Sequence, residues 1–544
     1  MAEYEIKDGV AIIPEGTKEI ESRAFEDCTD LTSVVIPNSV ERIGNSAFSG
    51  CTALTDVDIP GSVTEIWPGV FEGCTSLKSI RLPQSLKELT HAVFRGCSSL
   101  TDIFIPDAME KIDVRAFEGC TALSSIIVLE GNKKYDSREG CNAIIDTENN
   151  VMLLGCAGTV IPSSVTTICG FQNCTTLTSI VIPNTVTKIA REAFMGCTSL
   201  TDIVIPESVT SIAWDSFLGC TALTSIKVAE GNKTYDSRGG CNAIIETKTN
   251  ELISGCSTTA IPNSVTKIGE SAFQNCTSLT NIVIPNTVTE IKDNAFMGCT
   301  GLMDITIPES VTQIGNRAFY DCTGLKSIVI PDSVTIISDY TFYGCTSLAG
   351  INIPNTVTEI RVCAFQGCSG LTNIVIPDSV TQIRLHAFEG CSNLGNVVIG
   401  NSVEAINGYA FADCTNLNSI TISDAVTDID ESAFSGCTGL TNICIPTSVI
   451  KMGGRVFDGC AALKTVSILG AVSKLEMGLF WDCTSLETVT LGVGIKKIEA
   501  DVFDGCTSLK TINVPAKKAD YYKKRLPEKL HGIIVELPVE KAKK

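Results

Sequence analysis

The sequence predicts a repeat solenoid, a curved right-handed coil of about 22 rungs with one long parallel β-sheet and short helical or 3₁₀ turns. Nineteen of the 26 cysteines form three runs in which neighbours lie 23 residues apart. A phenylalanine stands three residues before each of these lattice cysteines, and a leucine stands three residues after it. A unit of this length is too short to bury its own apolar side chains, so stacked copies must cover one another.

Residues 279–299, LTNIVIPNTVTEIKDNAFMGC, represent the unit. The alternation Leu-x-x-Ile-x-Ile predicts a short strand with these three side chains inward. The proline that follows has no N–H for a ladder, so it fits the exit of the strand. The Ala-Phe-x-x-Cys segment predicts a helical or 3₁₀ turn on the opposite side, and one cysteine per unit predicts a small apolar core position.

The period divides the chain into a solenoid and two ends. Residues 25–515 are predicted to form one continuous solenoid. Residues 1–24 contain a half-repeat, IIPEGTKEI, which is predicted to cover the first coil. Residues 516–544 are Lys-rich and leave the period, with a short helix interrupted at Pro527 and a strand at IIVEL. Because a solenoid needs a cover over its last open edge, this segment is predicted to be a cap.

Two long rungs, residues 129–160 and 229–260, are near copies of each other and break the period. In each, two apolar runs flank a polar turn, which predicts a β-hairpin. The YDSR segment of each rung favours turn stabilisation over a contact with a partner. Two cysteines per hairpin are predicted to face each other, as a disulfide, a reduced buried pair or half of a metal site. These pairs are Cys141 with Cys156 and Cys241 with Cys256.

The unit L-x-x-I-x-I-P-x-S-V-x-x-I-G-x-x-A-F-x-x-C resembles the BspA-type leucine-rich repeat over residues 6–515. The resemblance implies a leucine-rich-repeat solenoid and a surface or secreted protein of the adhesin type, which binds host extracellular-matrix proteins. The N-terminus lacks the basic start and apolar core of a secretory signal, and abundant reduced cysteine is typical of the cytoplasm. Localisation therefore stays open between the cell surface and the cytoplasm.

Composition and motifs exclude several classes of function. The 41 basic and 61 acidic residues give a net charge of −20, which offers no electrostatic basis for binding nucleic acid. No apolar run is long enough for membrane insertion. No phosphate loop, metalloprotease motif or nucleophile elbow occurs, and repetition leaves few unique residues for a catalytic centre. We therefore expect no enzyme, no cofactor and no metal site.

The residue between the two inward aliphatics of each strand is predicted to point outward on a concave face. These positions are mostly apolar or neutral and are flanked by small polar residues, an arrangement typical of a protein contact surface. The β-propensity of branched residues is the alternative explanation. By residue type, Phe104 and Arg81 are the strongest anchors. The predicted contact residues are Val35, Asp58, Arg81, Phe104, Ile127, Val181, Val204, Lys227, Val283, Thr306, Val329 and Val375.

The sequence thus predicts a non-catalytic protein-binding module. The first hypothesis is an adhesin-like protein that binds a host protein through the concave face. The alternative is an intracellular scaffold that uses the same face. An exposed stripe of this kind also allows two copies to pair, so a homodimer is a further expectation.

Overall fold

The computed structural model describes residues 4–538, and the chain divides into an N-terminal unit, residues 1–259, and a C-terminal unit, residues 260–544. Each unit is a β-solenoid in which strands 23 residues apart pair in parallel. The predicted repeat solenoid is therefore confirmed as a fold. The ends of the two predicted caps, residues 1–3 and 539–544, lie outside the described residues.

The Ile-x-Ile segments form the first ladder of each unit. Its strands are in register, so that equivalent positions of successive rungs are opposite each other. The aliphatic residue at the second position of each strand from Val10–Ile12 to Thr511–Val514 is buried, as the period of two requires. In the N-terminal unit the strands are Ile6–Lys7 (antiparallel to the next), Val10–Ile12, Ser33–Val35, Asp56–Asp58, Ser79–Arg81, Asp102–Ile105, Ser125–Val128, Asp202–Ile205 and Ser225–Val228. In the C-terminal unit they are Asn281–Val283, Asp304–Thr306, Ser327–Val329, Asn373–Val375, Asn396–Val398, Ser419–Ile420, Asn442–Ile445, Thr465–Ile468, Thr488–Leu491, Thr511–Val514 and Ile534–Glu536.

A second parallel ladder runs through the Val-x-x-Ile segments and adds to the single sheet that the sequence predicts. Its strands have only two residues, too few for a period of two to be visible in the sequence. In the N-terminal unit they are Glu19–Ile20, Arg42–Ile43, Glu65–Ile66, Glu88–Leu89, Lys111–Ile112, Thr167–Ile168, Lys188–Ile189 and Ser211–Ile212. In the C-terminal unit they are Lys267–Ile268, Glu290–Ile291, Gln313–Ile314, Ile336–Ile337, Glu359–Ile360, Gln382–Ile383, Ala405–Ile406, Asp428–Ile429, Lys451–Met452, Lys474–Leu475 and Lys497–Ile498.

The Phe-x-x-Cys segments form tight turns that line the core. The phenylalanine rings stack in columns, and from Phe273 to Phe296 the ring centroids are 5.1 Å apart. The glycine before many lattice cysteines has a positive φ, +69° at Gly298, where a Cβ atom would come within 2.2 Å of the side chain of Asn275. The helices are short: Val114–Phe117, Arg138–Gly140, Arg238–Gly240 and Glu528–Ile533 are 3₁₀, and Ala519–Lys523 is α-helical.

Both long rungs contain the predicted antiparallel hairpin. The strands are Tyr135–Asp136, Ala143–Asp146 and Val151–Gly155 in the first, and Tyr235–Asp236, Ala243–Glu246 and Glu251–Gly255 in the second. The last strand of the first hairpin pairs in parallel with Thr167–Ile168, so this hairpin joins the second ladder. At the other end of the chain, the predicted IIVEL strand forms Ile534–Glu536 and pairs with Thr511–Val514.

Candidate functional site

The outward residues of the first ladder form an exposed surface, which we name the open face. Within Asn281–Val283, Ile282 is buried whereas Val283 is 82% exposed, because successive side chains of a strand point to opposite sides. The same alternation repeats in each rung of the ladder. In the N-terminal unit the open face consists of Ile12, Val35, Asp58, Arg81, Phe104, Ile127, Val204 and Lys227. In the C-terminal unit it consists of Val283, Thr306, Val329, Val375, Val398, Cys444, Ser467, Thr490, Asn513 and Val535.

The C-terminal part of the open face is a row of uncharged side chains. Val283, Thr306 and Val329 are consecutive partners in the parallel register, and neighbouring strands lie about 4.8 Å apart. Val329 is 61% exposed and Val375 is 58% exposed. Beside this row the Ser327 hydroxyl donates to the Asp304 carboxylate at 2.8 Å. An exposed apolar row with a polar rim has the composition of a protein contact surface.

The N-terminal part of the open face contains charged and aromatic side chains. Asp58, Arg81, Phe104 and Ile127 are consecutive partners in register. Arg81 is thus the direct neighbour of Phe104, one rung away. A hollow of about 280 Å³ opens at this point of the face. It is lined by Arg81, Leu82, Gln84, Phe104 and Leu129.

Val181 does not lie in a strand of the first ladder, although it is 84% exposed. The preceding rung contains Val160, whose N–H donates to the Cys141 carbonyl of the hairpin at 3.0 Å. The Val160 N–H is therefore bonded to the hairpin and not to a strand of a neighbouring rung. The predicted contact positions in the ladder strands before and after the first hairpin, Ile127 and Val204, do lie in strands and are exposed.

The hairpin cysteines do not face each other as the sequence spacing predicts. The register shifts by one residue between Ile144 and Ile145, so that Ala143 pairs with Gly155. One step further along, Cys156 comes level with Asn142, and its thiol donates to the Asn142 carbonyl at 3.6 Å. A β-bulge of this kind cannot be read from equal spacing about the centre of a turn. Cys241 and Cys256 lie in the same shifted register.

All four hairpin cysteines are free and buried in the structure. Burial raises the pKa of the Cys141 thiol to about 11 and raises the pKa of the Cys156 thiol. A protonated thiol is a poor nucleophile and a poor metal ligand. These features favour the reduced buried pair, and the disulfide stays a hypothesis for thiol counting.

The YDSR segments connect the hairpins to both ladders. The Tyr135 hydroxyl accepts the Ile112 N–H of the second ladder at 3.2 Å, and the Ser137 hydroxyl accepts the Val128 N–H of the first ladder at 2.9 Å. Between them Arg138 pairs with Asp136 at 2.8 Å. The second copy repeats these contacts from Tyr235 to Arg238. The contacts of both segments therefore stabilise the turns, because the hydroxyl groups accept hydrogen bonds from backbone N–H groups at strand edges where a ladder ends.

Two arrangements in the structure are not predicted from the sequence. The lattice thiols act as hydrogen-bond donors as well as apolar groups: the Cys345 thiol donates to the Phe319 carbonyl at 3.2 Å, and most other lattice cysteines repeat this contact. A spacing of 26 residues between donor and acceptor gives no local signal. An aromatic cluster on the turn side also stands out, with Tyr320 stacked on Tyr343 at 4.5 Å and His386 on Tyr409 at 4.9 Å.

Residues 4–538 contain no group of three or more His, Cys, Asp or Glu side chains arranged to hold a metal ion. In the same residues, no helix has the length and apolarity that crossing a bilayer requires.

The stacked rungs and the exposed face of their parallel strands define a leucine-rich-repeat solenoid protein. The model of the BspA type leucine rich repeat region matches the chain in six overlapping or adjoining segments, residues 13–139, 156–239, 243–372, 312–437, 359–487 and 404–524. The chain belongs to this family. A comparison with curated proteins finds no match.

Solved structures of bacterial leucine-rich-repeat proteins are similar to this chain. A leucine-rich cell surface protein from Faecalibacterium prausnitzii is 28% identical, with 72% of this chain and 87% of that chain covered and a TM-score of 0.40. A leucine-rich-repeat protein from Bacteroides ovatus is 23% identical, with coverages of 97% and 94% and a TM-score of 0.37. The family assignment rests on the repeat matches and not on these superpositions.

Proposed function

We propose that this protein is a non-catalytic protein-binding module that holds a protein partner on its open face. The observation that carries the proposal is the uncharged row of Val283, Thr306 and Val329, continued at Val375. Outward strand positions that stay in water usually carry charged residues. Removing exposed valines from water is favourable, and a partner that covers them would do this. The repeated core gives no residue that could discriminate one partner from another, whereas the open face varies from rung to rung.

Membership of the BspA type repeat family supports the adhesin-like form of this proposal, in which the partner is a host extracellular-matrix protein. The second candidate is an intracellular scaffold that uses the same face. It is favoured by the 26 cysteines, all of which are free in the structure. Disulfides form in oxidising compartments, and a chain with this many unpaired thiols suits a reducing one.

Introducing charge on the open face tests the binding proposal. The triple variant Val283→Lys, Val329→Lys, Val375→Lys places three charges on exposed positions, so the fold is expected to stay intact by circular dichroism. We expect the partner recovered by pull-down from host matrix or source-cell lysate to bind this variant at least about 100-fold more weakly. Unchanged binding of that partner would reject the open face as the contact surface.

A matched control carries the same new charges on exposed apolar residues that lie outside the open face. Ile450 is 59% exposed, Met477 is 56% exposed and Val493 is 79% exposed, and the variant Ile450→Lys, Met477→Lys, Val493→Lys is expected to bind like the unaltered chain. Protease shaving of intact source cells distinguishes the two candidate functions. Loss of the chain from intact cells supports the adhesin-like function, whereas full protection supports the scaffold.

A further inference from the structure

The hollow beside Phe104 contains a cation without an internal partner. The chain has 13 arginines, all within residues 4–538, and eleven of them contact a carboxylate or an aromatic ring. Arg81 is one of the two that make no such contact in this part of the chain, and it is exposed at the mouth of the hollow. A guanidinium group offers five donors in a fixed geometry that fits a carboxylate.

Three of the five residues that line the hollow are apolar. Leu82 is buried, Phe104 and Leu129 are half-buried, and Gln84 supplies an exposed amide at the edge. A volume of about 280 Å³ lies at the lower end of the range for pockets that take small molecules. It therefore suits one or two amino-acid side chains better than a cofactor. Arginine and aromatic residues together are typical of the energetically dominant positions of protein interfaces.

We propose that this hollow anchors an acidic side chain of the protein partner, with its carboxylate on Arg81 and an adjacent aliphatic or aromatic side chain against Phe104. The proposal rests on the proposed binding function of the open face and names the chemistry of the segment that is bound. An extended peptide segment presents alternate side chains in this way.

Acidic groups of the chain oppose the binding of a carboxylate to Arg81, and their effect depends on their distance from it. Asp58 is its register partner on the other side from Phe104, and the two side chains form no ion pair in the structure. The chain also carries a net charge of −20, but charges further away than about 8 Å are largely screened at physiological ionic strength. The contact between a carboxylate and Arg81 therefore acts at short range, with Asp58 weakening it.

Selection of random heptapeptides displayed on phage against the whole chain tests the proposal. Displayed peptides have no free C-terminus, so a carboxylate must come from a side chain. We expect enrichment of Glu or Asp two positions away from a bulky apolar residue, because alternate side chains of an extended peptide share one side. Amidated synthetic copies should bind the variant Arg81→Gln about tenfold more weakly than the unaltered chain, as expected for the loss of a charge-assisted hydrogen bond.

Two further variants make the result specific. Asp58→Asn removes the competing carboxylate and should strengthen binding of the same peptides. Arg384→Gln removes the other arginine without such a contact, next to Gln382–Ile383 of the second ladder and outside the open face, and should leave binding unchanged. Selection without acidic enrichment, or peptides that bind Arg81→Gln undiminished, would overturn the proposal. The lysine variants of Val283, Val329 and Val375 separate this outcome from failure of the proposed function, because they alter the C-terminal unit and not the hollow.

Discussion

Raising the pH tests the buried thiol column directly. In fourteen of the buried lattice cysteines, burial raises the pKa of the thiol well above its ordinary value of 9.0, to about 12 at Cys51 and Cys322. The thiols therefore stay protonated in the folded chain at a pH where free cysteine ionises. The fourteen are Cys51, Cys74, Cys97, Cys120, Cys197, Cys299, Cys322, Cys345, Cys368, Cys391, Cys414, Cys437, Cys460 and Cys483.

The direction of the effect follows from proton linkage. Above pH 9 the unfolded chain releases thiol protons that the folded chain keeps, so the free energy of unfolding falls as the pH rises. Below pH 9 both states keep these protons, and the thiols add no pH dependence. At pH 10 each thiol lowers the free energy of unfolding by roughly 1 kcal/mol, and fourteen together lower it by an amount on the order of 10–20 kcal/mol. That sum matches or exceeds the typical stability of a domain, about 5–15 kcal/mol.

We therefore expect the solenoid to unfold between about pH 9.5 and pH 10.5. The assay is an alkaline titration that follows strand content by circular dichroism and thiolate formation by ultraviolet absorbance. Both signals should change together, and the same titration in denaturant gives the pKa of the exposed thiols. A rise near pH 9 in thiolate absorbance that amounts to fourteen or more thiols, while the circular dichroism stays constant, would refute the argument, because the buried thiols would then ionise inside the folded chain.

Three further predictions concern single residues. In the native chain at pH 8, iodoacetamide should modify the exposed Cys444 first, and titration in denaturant without reductant should find 26 thiols, fewer indicating a disulfide. Cys345→Ala should lower the free energy of unfolding in urea by about 1–2 kcal/mol through lost packing and the lost bond to Phe319, whereas Cys444→Ala should change it little. Tyr135→Phe should lower the same quantity by about 1–3 kcal/mol, because it leaves the Ile112 N–H unpaired; an unchanged urea midpoint would contradict the role of this hydroxyl.

The fold can be predicted from the sequence because each rung repeats the same residue pattern. One copy of Phe-x-x-Cys-x-x-Leu would be a weak signal, but nineteen copies at a fixed spacing determine both the period and the core. The outward position of Val283 and Val329 follows from the period of two alone. Eleven of the twelve predicted contact positions therefore lie on the open face, and Val181, where the hairpin interrupts the ladder, does not.

The features that escape prediction depend on contacts between rungs or on small shifts within one. The second ladder is made of two-residue strands such as Glu290–Ile291, whose pairing needs the neighbouring rung to be in place. The bond from the Cys345 thiol to the Phe319 carbonyl joins residues 26 positions apart. The bulge after Ile144 moves Cys156 by one place, and the backbone can do this without any change in composition.

In a repeat protein, recognition must come from positions that the repeat leaves free. The lattice residues are the same in every rung, so a partner that contacted them could not distinguish one rung from another. Phe104 is the single phenylalanine of the chain outside the lattice, and it adjoins Arg81, one of the few arginines without an internal contact. The backbone at Phe104 is the same short strand as at Val283, so folding does not require an aromatic ring there. A partner that contacts both the Phe104 ring and the Arg81 guanidinium would explain why these two positions differ from the valines of other rungs.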